Sequence, residues 1–283
     1  VAALNGPTVR DPGAATAELE VELLLEALLQ RFGYDFRAYE RAAVTAKLYA
    51  VMAENELATL SRLQDRVLHQ AGAGEALLRA LSVQPYQMFD QPEQARLLRI
   101  VLASSLRASA VPKVWLAECT SAEEAWSLAI LLAEQQLDSR TEIFATLANE
   151  ELLAEAAQAF IPMARMADCV DRYRESGGNA RLEDYFDIDG ERAVLLPHLR
   201  QRITWAQYNL VTDASFNEFQ MIVCPRALGE FGPPLRARTL RLFHDSLSLF
   251  GVLGLDRPLD AGDPLAVCYQ PVFADQCWYK RIA

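Results

Sequence analysis

The 283-residue sequence predicts an all-helical N-terminal domain followed by an α/β domain of the nucleotide-binding kind. Three observations predict it. Between residues 18 and 82 apolar residues recur at helical spacing without a strand-like run. From Val114 onward, short apolar runs alternate with helix-length amphipathic segments, the pattern of a mainly parallel sheet covered on both faces. Finally, Val111–Leu137 (VPKVWLAECTSAEEAWSLAILLAEQQL) passes from a strand over a polar loop straight into a helix. In such units loop glycines let the backbone approach a charged cofactor and leave helix N–H groups free to bind it. Here Glu118 and Ala122 stand in the loop instead.

Residues 1–16, rich in Ala, Gly and Pro, read as a flexible lead-in, and the chain opens on Val1 rather than Met, as a trimmed chain would. Glu18–Gln30 carries Leu and Val at helical spacing, and Gly33 breaks that helix. A second helix is expected from Arg37 to about Asn55, and LATLSRLQDRVLHQ and GEALLRALSV give two more, which makes 17–82 a helical domain. Residues 83–110 hold an irregular connector, QPYQMFD, and a helix to Arg107 with Pro92 in its first turn. Residues 111–283 form the α/β domain. Its expected strands are VWLAEC, TEIFATL, RITWAQYNL, FQMIVC and GVLGL, then AVCYQ and QCWYKRIA as an antiparallel edge pair. The helix after the fourth strand opens on Pro233 and Pro234 and is expected through LRARTLRLFHDSLSLF. Residues 161–200 are a longer excursion.

Composition bounds the partners. A net charge of −11 and a pI near 4.9, with no Lys/Arg block, argue against a nucleic-acid surface. Up to Ser82 there are 8 Lys and Arg against 11 Asp and Glu, a net of −3, so the helical domain is no basic docking surface. Five widely spaced cysteines in a chain of this size read as reduced thiols in a cytoplasmic protein, and none falls at metal-ligand spacing with His69, His198 or His244. No apolar run is long enough to cross a bilayer.

Six ordered blocks carry a resemblance: RFGYDFRAY, WLAECTSAEEAWSLAILLAEQQL, IFATLANEELL, YNLVTDASF, CPRALGEF and LFHDSLSLFGVLGL. Together, from about Leu23 to Ile282, they resemble the CheR-type chemotaxis receptor methyltransferases, which transfer a methyl group from S-adenosylmethionine to receptor glutamates. The resemblance implies a class I, Rossmann-like methyltransferase domain after the helical one. It also implies a cofactor site at Ala117, Glu118, Cys119, Ala122, Glu123, Leu147, Asn209, Leu210 and Arg226, with Glu124 and Asp213 retained beside it.

Several of those positions depart from the family pattern. The family loop reads approximately A-G-C-S-T-G-E-E, so its two glycines become Glu118 and Ala122, and Glu118 places a carboxylate where the cofactor's own would lie. The family Asp that accepts the ribose hydroxyls is Leu147, a loss of about 1.5–3 kcal/mol, or roughly ten- to a hundredfold in affinity. Asp90 replaces an Arg that positions the reacting groups, Arg226 an Asn beside the cofactor, and Glu230 a Tyr facing the substrate. Two carboxylates, Asp90 and Glu230, are thereby expected to face a glutamate substrate. The Arg-rich receptor-binding face of the family's second helix is reduced to Lys47 in VTAKLYAVM.

Plainer readings stand beside these. Glu123 and Glu124 suit a helix N-terminus on macrodipole grounds alone. Cys119 and Cys224 sit at strand ends where small buried cysteines are common. Asp90 and Glu230 are either a new acid–base pair or drift after selection on catalysis relaxed. Tyr34, Phe36 and Tyr39 fit an aromatic core, and His244 a boundary position on its helix. The expected function is a degenerate family member with S-adenosylmethionine binding weak or lost, acting through a protein partner such as a chemosensory receptor or signalling protein. Two alternatives remain open: an active protein-glutamate methyltransferase with a remodelled site, and a module for another nucleotide-like ligand, with Arg226 as its anion contact.

Overall fold

A computed structural model describes residues 12–81, 85–148 and 150–283. The chain forms two compact units, one of Val1–Val83 with Glu230–Leu235 and one of Gln84–Gly229 with Arg236–Ala283.

The first unit holds four helices, α1 (Pro12–Phe32), α2 (Arg41–Glu54), α3 (Leu60–His69) and α4 (Ala73–Leu81). Helix α1 begins at Pro12, ahead of the Glu18 start, so the last residues of the expected lead-in are helical; residues 1–11 and the boundary at Ser82 lie outside the described residues. Gly33, at φ +81°, stops α1 by donating its N–H back to Leu29 O at 2.9 Å, a conformation glycine adopts without a Cβ penalty. Helix α2 starts at Arg41, later than Arg37, because Asp35 and the Tyr39 bridge hold 35–40 in turns. Thr59 caps α3, its hydroxyl accepting the Arg62 N–H at 3.2 Å. Leu24, Leu25, Leu28, Leu48, Leu60 and Leu77 fill the core. Phe36 and Tyr39 meet edge to face at 5.1 Å, and Tyr39 packs on Phe231 at 5.2 Å, so the expected aromatic cluster extends to a residue far along the chain.

The second unit contains α5 (Pro92–Ser105), β1 (Lys113–Leu116), α6 (Ala122–Glu134), β2 (Glu142–Leu147), α7 (Glu150–Ala157), β3 (Ile161–Pro162), α8 (Met163–Glu175), β4 (Phe186–Asp189), β5 (Arg192–Leu195), α9 (Pro197–Arg200), β6 (Ile203–Gln207), β7 (Phe219–Cys224), α10 (Pro233–Ser246) from Arg236 onward, β8 (Leu247–Leu255), β9 (Tyr269–Pro271) and β10 (Trp278–Arg281). Seven strands form one sheet in the order β6-β2-β1-β7-β8-β10-β9. β6, β2, β1, β7 and β8 run parallel, and β10 and β9 close the edge antiparallel. The chain leaves β1 toward β2 and β6, then returns to lay β7 on the other side. That reversal opens a crevice at the carboxyl ends of β1 and β7, where open α/β sheets bind ligands.

The excursion at 161–200 is a second, three-stranded sheet in the order β3-β5-β4, whose strands are too short to read from pattern. Trp126 of α6 meets Phe186 of β4 with ring centroids 6.2 Å apart, which explains why α6 is apolar nearly all round. Helix α10 ends at Ser246, and LSLF belongs to β8 instead of the helix. The irregularity there is marked by Phe250 at φ +67° and a register shift between Phe219 and Met221.

Trp115 on β1 anchors this core. Its ring touches Tyr208, Phe216, Phe219 and Phe243 at 5.2–5.3 Å, and its Nε1–H donates to Thr146 Oγ1 at 2.9 Å. Trp115→Ala is expected to cost about 3–5 kcal/mol in chemical denaturation, with the lost hydrogen bond leaving Thr146 buried.

Candidate functional site

The site is the loop between β1 and α6, residues 117–121, at the carboxyl end of the sheet. Two backbone bonds fix it: the Ala117 N–H donates to Val223 O at 2.8 Å and the Cys119 N–H to Thr146 O at 2.7 Å. Between them Glu118 adopts φ +56°, the left-handed region that favours glycine. The loop therefore keeps a glycine's backbone conformation with a glutamate in it. Glu118 is half-buried, no hydrogen bond or ion pair reaches its carboxylate among the described residues, and burial pushes its carboxyl up to about 7.

The two glutamates of the α6 first turn have separate structural duties. Glu124 is 5% exposed; its Oε2 accepts the Thr120 N–H at 2.9 Å and the Thr120 hydroxyl at 3.3 Å, and burial raises its carboxyl. Glu123 takes a bidentate pair from Arg165 of α8 at 2.8 and 2.9 Å, and also accepts the Met88 N–H at 2.8 Å. Neither side chain rests on the helix dipole alone.

These bonds tie the connector before α5 to the loop. The Tyr86 N–H donates to Thr120 Oγ1 at 3.0 Å, the Ser121 hydroxyl to Tyr86 O at 2.6 Å, and the Phe89 N–H approaches Ser127 Oγ at 3.4 Å, with Phe89 itself at φ +54°. The Asp90 carboxylate accepts from Arg226 Nη2 at 2.7 and 2.8 Å and from the Gln87 N–H at 3.2 Å, while the same guanidinium lies 4.9 Å from the Tyr86 ring centre. A double-mutant cycle on Asp90→Ala and Arg226→Ala is expected to show about 1.5–3 kcal/mol of coupling, since the pair is largely shielded from water.

Glu230 belongs to the helical unit, where Lys47 donates to it at 2.9 Å and also to Leu81 O. Asp90 and Glu230, expected to face a glutamate substrate, each hold a cation of their own. Arg226, expected as an anion contact, is committed to Asp90.

The remaining positions fall as follows. Leu147 ends β2 fully buried in the core, and its carbonyl accepts the Tyr208 N–H at 2.9 Å, so no acceptor side chain stands there. Asn209 and Asp213 form a closed turn in which Asp213 Oδ2 accepts the Asn209 N–H at 2.9 Å and Asn209 Oδ1 the Val211 N–H at 2.8 Å; Leu210 is buried beside it. Ala122 is buried at the start of α6. Burial holds the Cys119 and Cys224 thiols well above their usual range, with Glu124 acting on the first and Asp256 and Glu118 on the second, so both are poor nucleophiles. His244 is half-buried against the Tyr269 ring. Among the described residues no group of His, Cys, Asp or Glu could hold a metal ion, and no helix is long and apolar enough to cross a membrane. Sequence reading missed Tyr86, Thr120 and Arg165; Arg165 lies 42 positions from its partner with no motif to connect them.

Residues 87–256 match the family described as CheR methyltransferase, SAM binding domain, and residues 19–82 match CheR methyltransferase, all-alpha domain. The chain belongs to the CheR methyltransferase family. A relative from Pseudomonas putida, named putative methyltransferase Cher3, is 35% identical over 238 residues, which is 84% of this chain and 87% of that protein. Chemotaxis protein methyltransferase 1 of Pseudomonas aeruginosa is 24% identical over 85% of this chain and 90% of its own. A solved glycopeptide N-methyltransferase, MtfA with sinefungin, overlays at a TM-score of 0.35 and 16% identity, covering 62% of this chain and 57% of that one, too distant to add to the assignment. S-adenosylmethionine is accordingly the cofactor of this CheR-family fold. In this chain Glu118 and Leu147 occupy two of the positions that resemblance assigns to holding it.

Proposed function

We propose that this CheR-family chain binds S-adenosylmethionine weakly or not at all, transfers methyl groups at a strongly reduced rate, and serves a chemosensory or related signalling system as a regulatory, protein-binding component of the cytoplasm. The observation that carries this reading is Glu118, a half-buried carboxylate without a partner, held in a glycine conformation in the cofactor loop. A carboxylate there repels the carboxylate of the donor's methionyl end, and Leu147 offers its ribose nothing. Asp90, Arg226 and Glu230 are used in internal ion pairs, which suits a scaffold better than an acceptor site. Glu118 and Leu147 do not fit the cofactor.

The test is transfer of labelled methyl groups to receptor signalling domains and to whole-cell protein. The expected result is no incorporation above a heat-killed control, while an intact family enzyme labels the same receptor. Incorporation that disappears on Asn209→Ala favours the second reading, an active enzyme with a remodelled site, whose support is the intact Asn209–Asp213 turn. A module for another nucleotide-like ligand has less in its favour, since Arg226 is paired with Asp90.

A further inference from the structure

A cavity of about 60 Å³ lies between α5, α6 and the sheet. Its walls are mainly apolar: Ala95 and Leu98 from α5, Leu128 and Leu131 from α6, Leu255 and Trp278 from β8 and β10, with Gln91, Gln94, Ser127 and the neutral Tyr86 phenol beside them. One carboxylate, Glu124, joins them. It is 95% shielded from solvent, and with Oε2 engaged by Thr120 its Oε1 has no hydrogen-bond partner. The Cys119 thiol, a weak donor, lies close enough to act on the Glu124 carboxyl, while its well-formed hydrogen bond goes to Ser121 O at 3.0 Å. Arg226 acts on Glu124 at a distance and forms an ion pair with Asp90. A buried carboxylate oxygen without a donor is costly, and the cavity beside it has room for about four water-sized groups, the bulk of a short alkyl chain.

We propose that this cavity is a binding site for a small primary alkylammonium ion, whose carbon chain lies among Leu98, Leu128, Leu131 and Trp278 and whose ammonium is held by Glu124 Oε1. The ammonium supplies the missing donor and a countercharge together, and the chain removes apolar surface from water. A neutral alcohol of the same length gains only the second of these, and a carboxylate of the same length is repelled. The site does not rest on the functional reading above, because none of its walls is Glu118, Leu147 or Glu230.

The full chain is titrated calorimetrically with n-butylammonium chloride, with n-butanol and sodium butyrate as controls at matched ionic strength. Saturable binding of butylammonium is expected, with butanol and butyrate at least tenfold weaker. Glu124→Gln and Ala95→Leu are each expected to weaken butylammonium at least tenfold, the first by removing the charge and the second by filling the cavity with Glu124 in place. No butylammonium binding, or equal binding of butanol, overturns the proposal. So does full binding by a folded Glu124→Gln protein; should that variant fail to fold, full binding by Ala95→Leu decides against the cavity. Nα-acetyl-lysine methylamide, added as a separate arm, tells the source: tighter binding than butylammonium assigns the site to a lysine side chain, weaker binding to a free amine.

Discussion

Glu118→Gly is expected to raise the thermal stability of the protein, and to raise it more at pH 8 than at pH 5. Two effects act in the same direction. A non-glycine residue in the left-handed region carries roughly 1–2 kcal/mol of strain, partly offset because glycine loses more freedom on folding. The second effect is electrostatic. Burial lifts the Glu118 carboxyl from 4.5 to about 7, so the folded protein holds this proton more tightly than the unfolded chain. For a carboxyl raised in this way, stability is full below pH 4.5 and is lost as the pH rises toward 7, by up to about 3 kcal/mol. Glu124 and Asp256, also raised by burial, slope the wild-type curve in the same sense. The informative quantity is therefore the difference between variant and wild type across pH, followed by thermal melts. Glu118→Gln isolates the charge from the backbone. Parallel curves for wild type and Glu118→Gln would show that the carboxyl is already solvated.

Combining Glu118→Gly with Leu147→Asp is expected to recover affinity for S-adenosylmethionine by at least a hundredfold over the wild-type chain. An acceptor carboxylate at the end of β2 restores charge-assisted bonds worth about 1.5–3 kcal/mol, and removing Glu118 ends a like-charge contact at a separate point. The two sites are neighbours, because the Cys119 N–H beside Glu118 donates to the Thr146 carbonyl beside Leu147 at 2.7 Å, so both single variants are measured with the double to obtain their coupling. Leu147→Asp alone is expected to destabilise the free protein by about 2–4 kcal/mol, because Leu147 is fully buried among apolar neighbours. The double substitution is for that reason compared with Glu118→Gly as its parent. Unchanged affinity in a folded double variant would point instead to Ala122 at the start of α6 or to Arg226 after β7.

Much of the α/β framework is legible in the sequence because its signals are local. Val114–Leu116 and Glu142–Leu147 are dense apolar runs, Pro233 opens α10 as a proline at a first helical position should, and the last two strands have no helix between them. The β3-β5-β4 sheet was not legible: β3 has two residues, and β4 is exposed at Asp187, Ile188 and Asp189, so neither shows an alternating face. The end of α10 cannot be placed from LFHDSLSLF, which is compatible with both periods; pairing with β7 decides for strand from Leu247. The site divides along the same line. Substitutions at Glu118 and Leu147 are visible wherever the neighbouring blocks are kept. What compensates for Asp90 and Glu230 is not, because Arg226 and Lys47 are 136 and 183 positions away and only the fold brings them together.

A carboxylate in a glycine conformation is expected to close the cofactor loop to the methyl donor. Isothermal titration of the full chain with S-adenosylmethionine, and separately with S-adenosylhomocysteine, measures this. No saturable heat is expected for either ligand at concentrations that fill an intact family enzyme, and saturable heat is expected for both in the Glu118→Gly, Leu147→Asp protein. Tight, stoichiometric binding by the unaltered chain would contradict it.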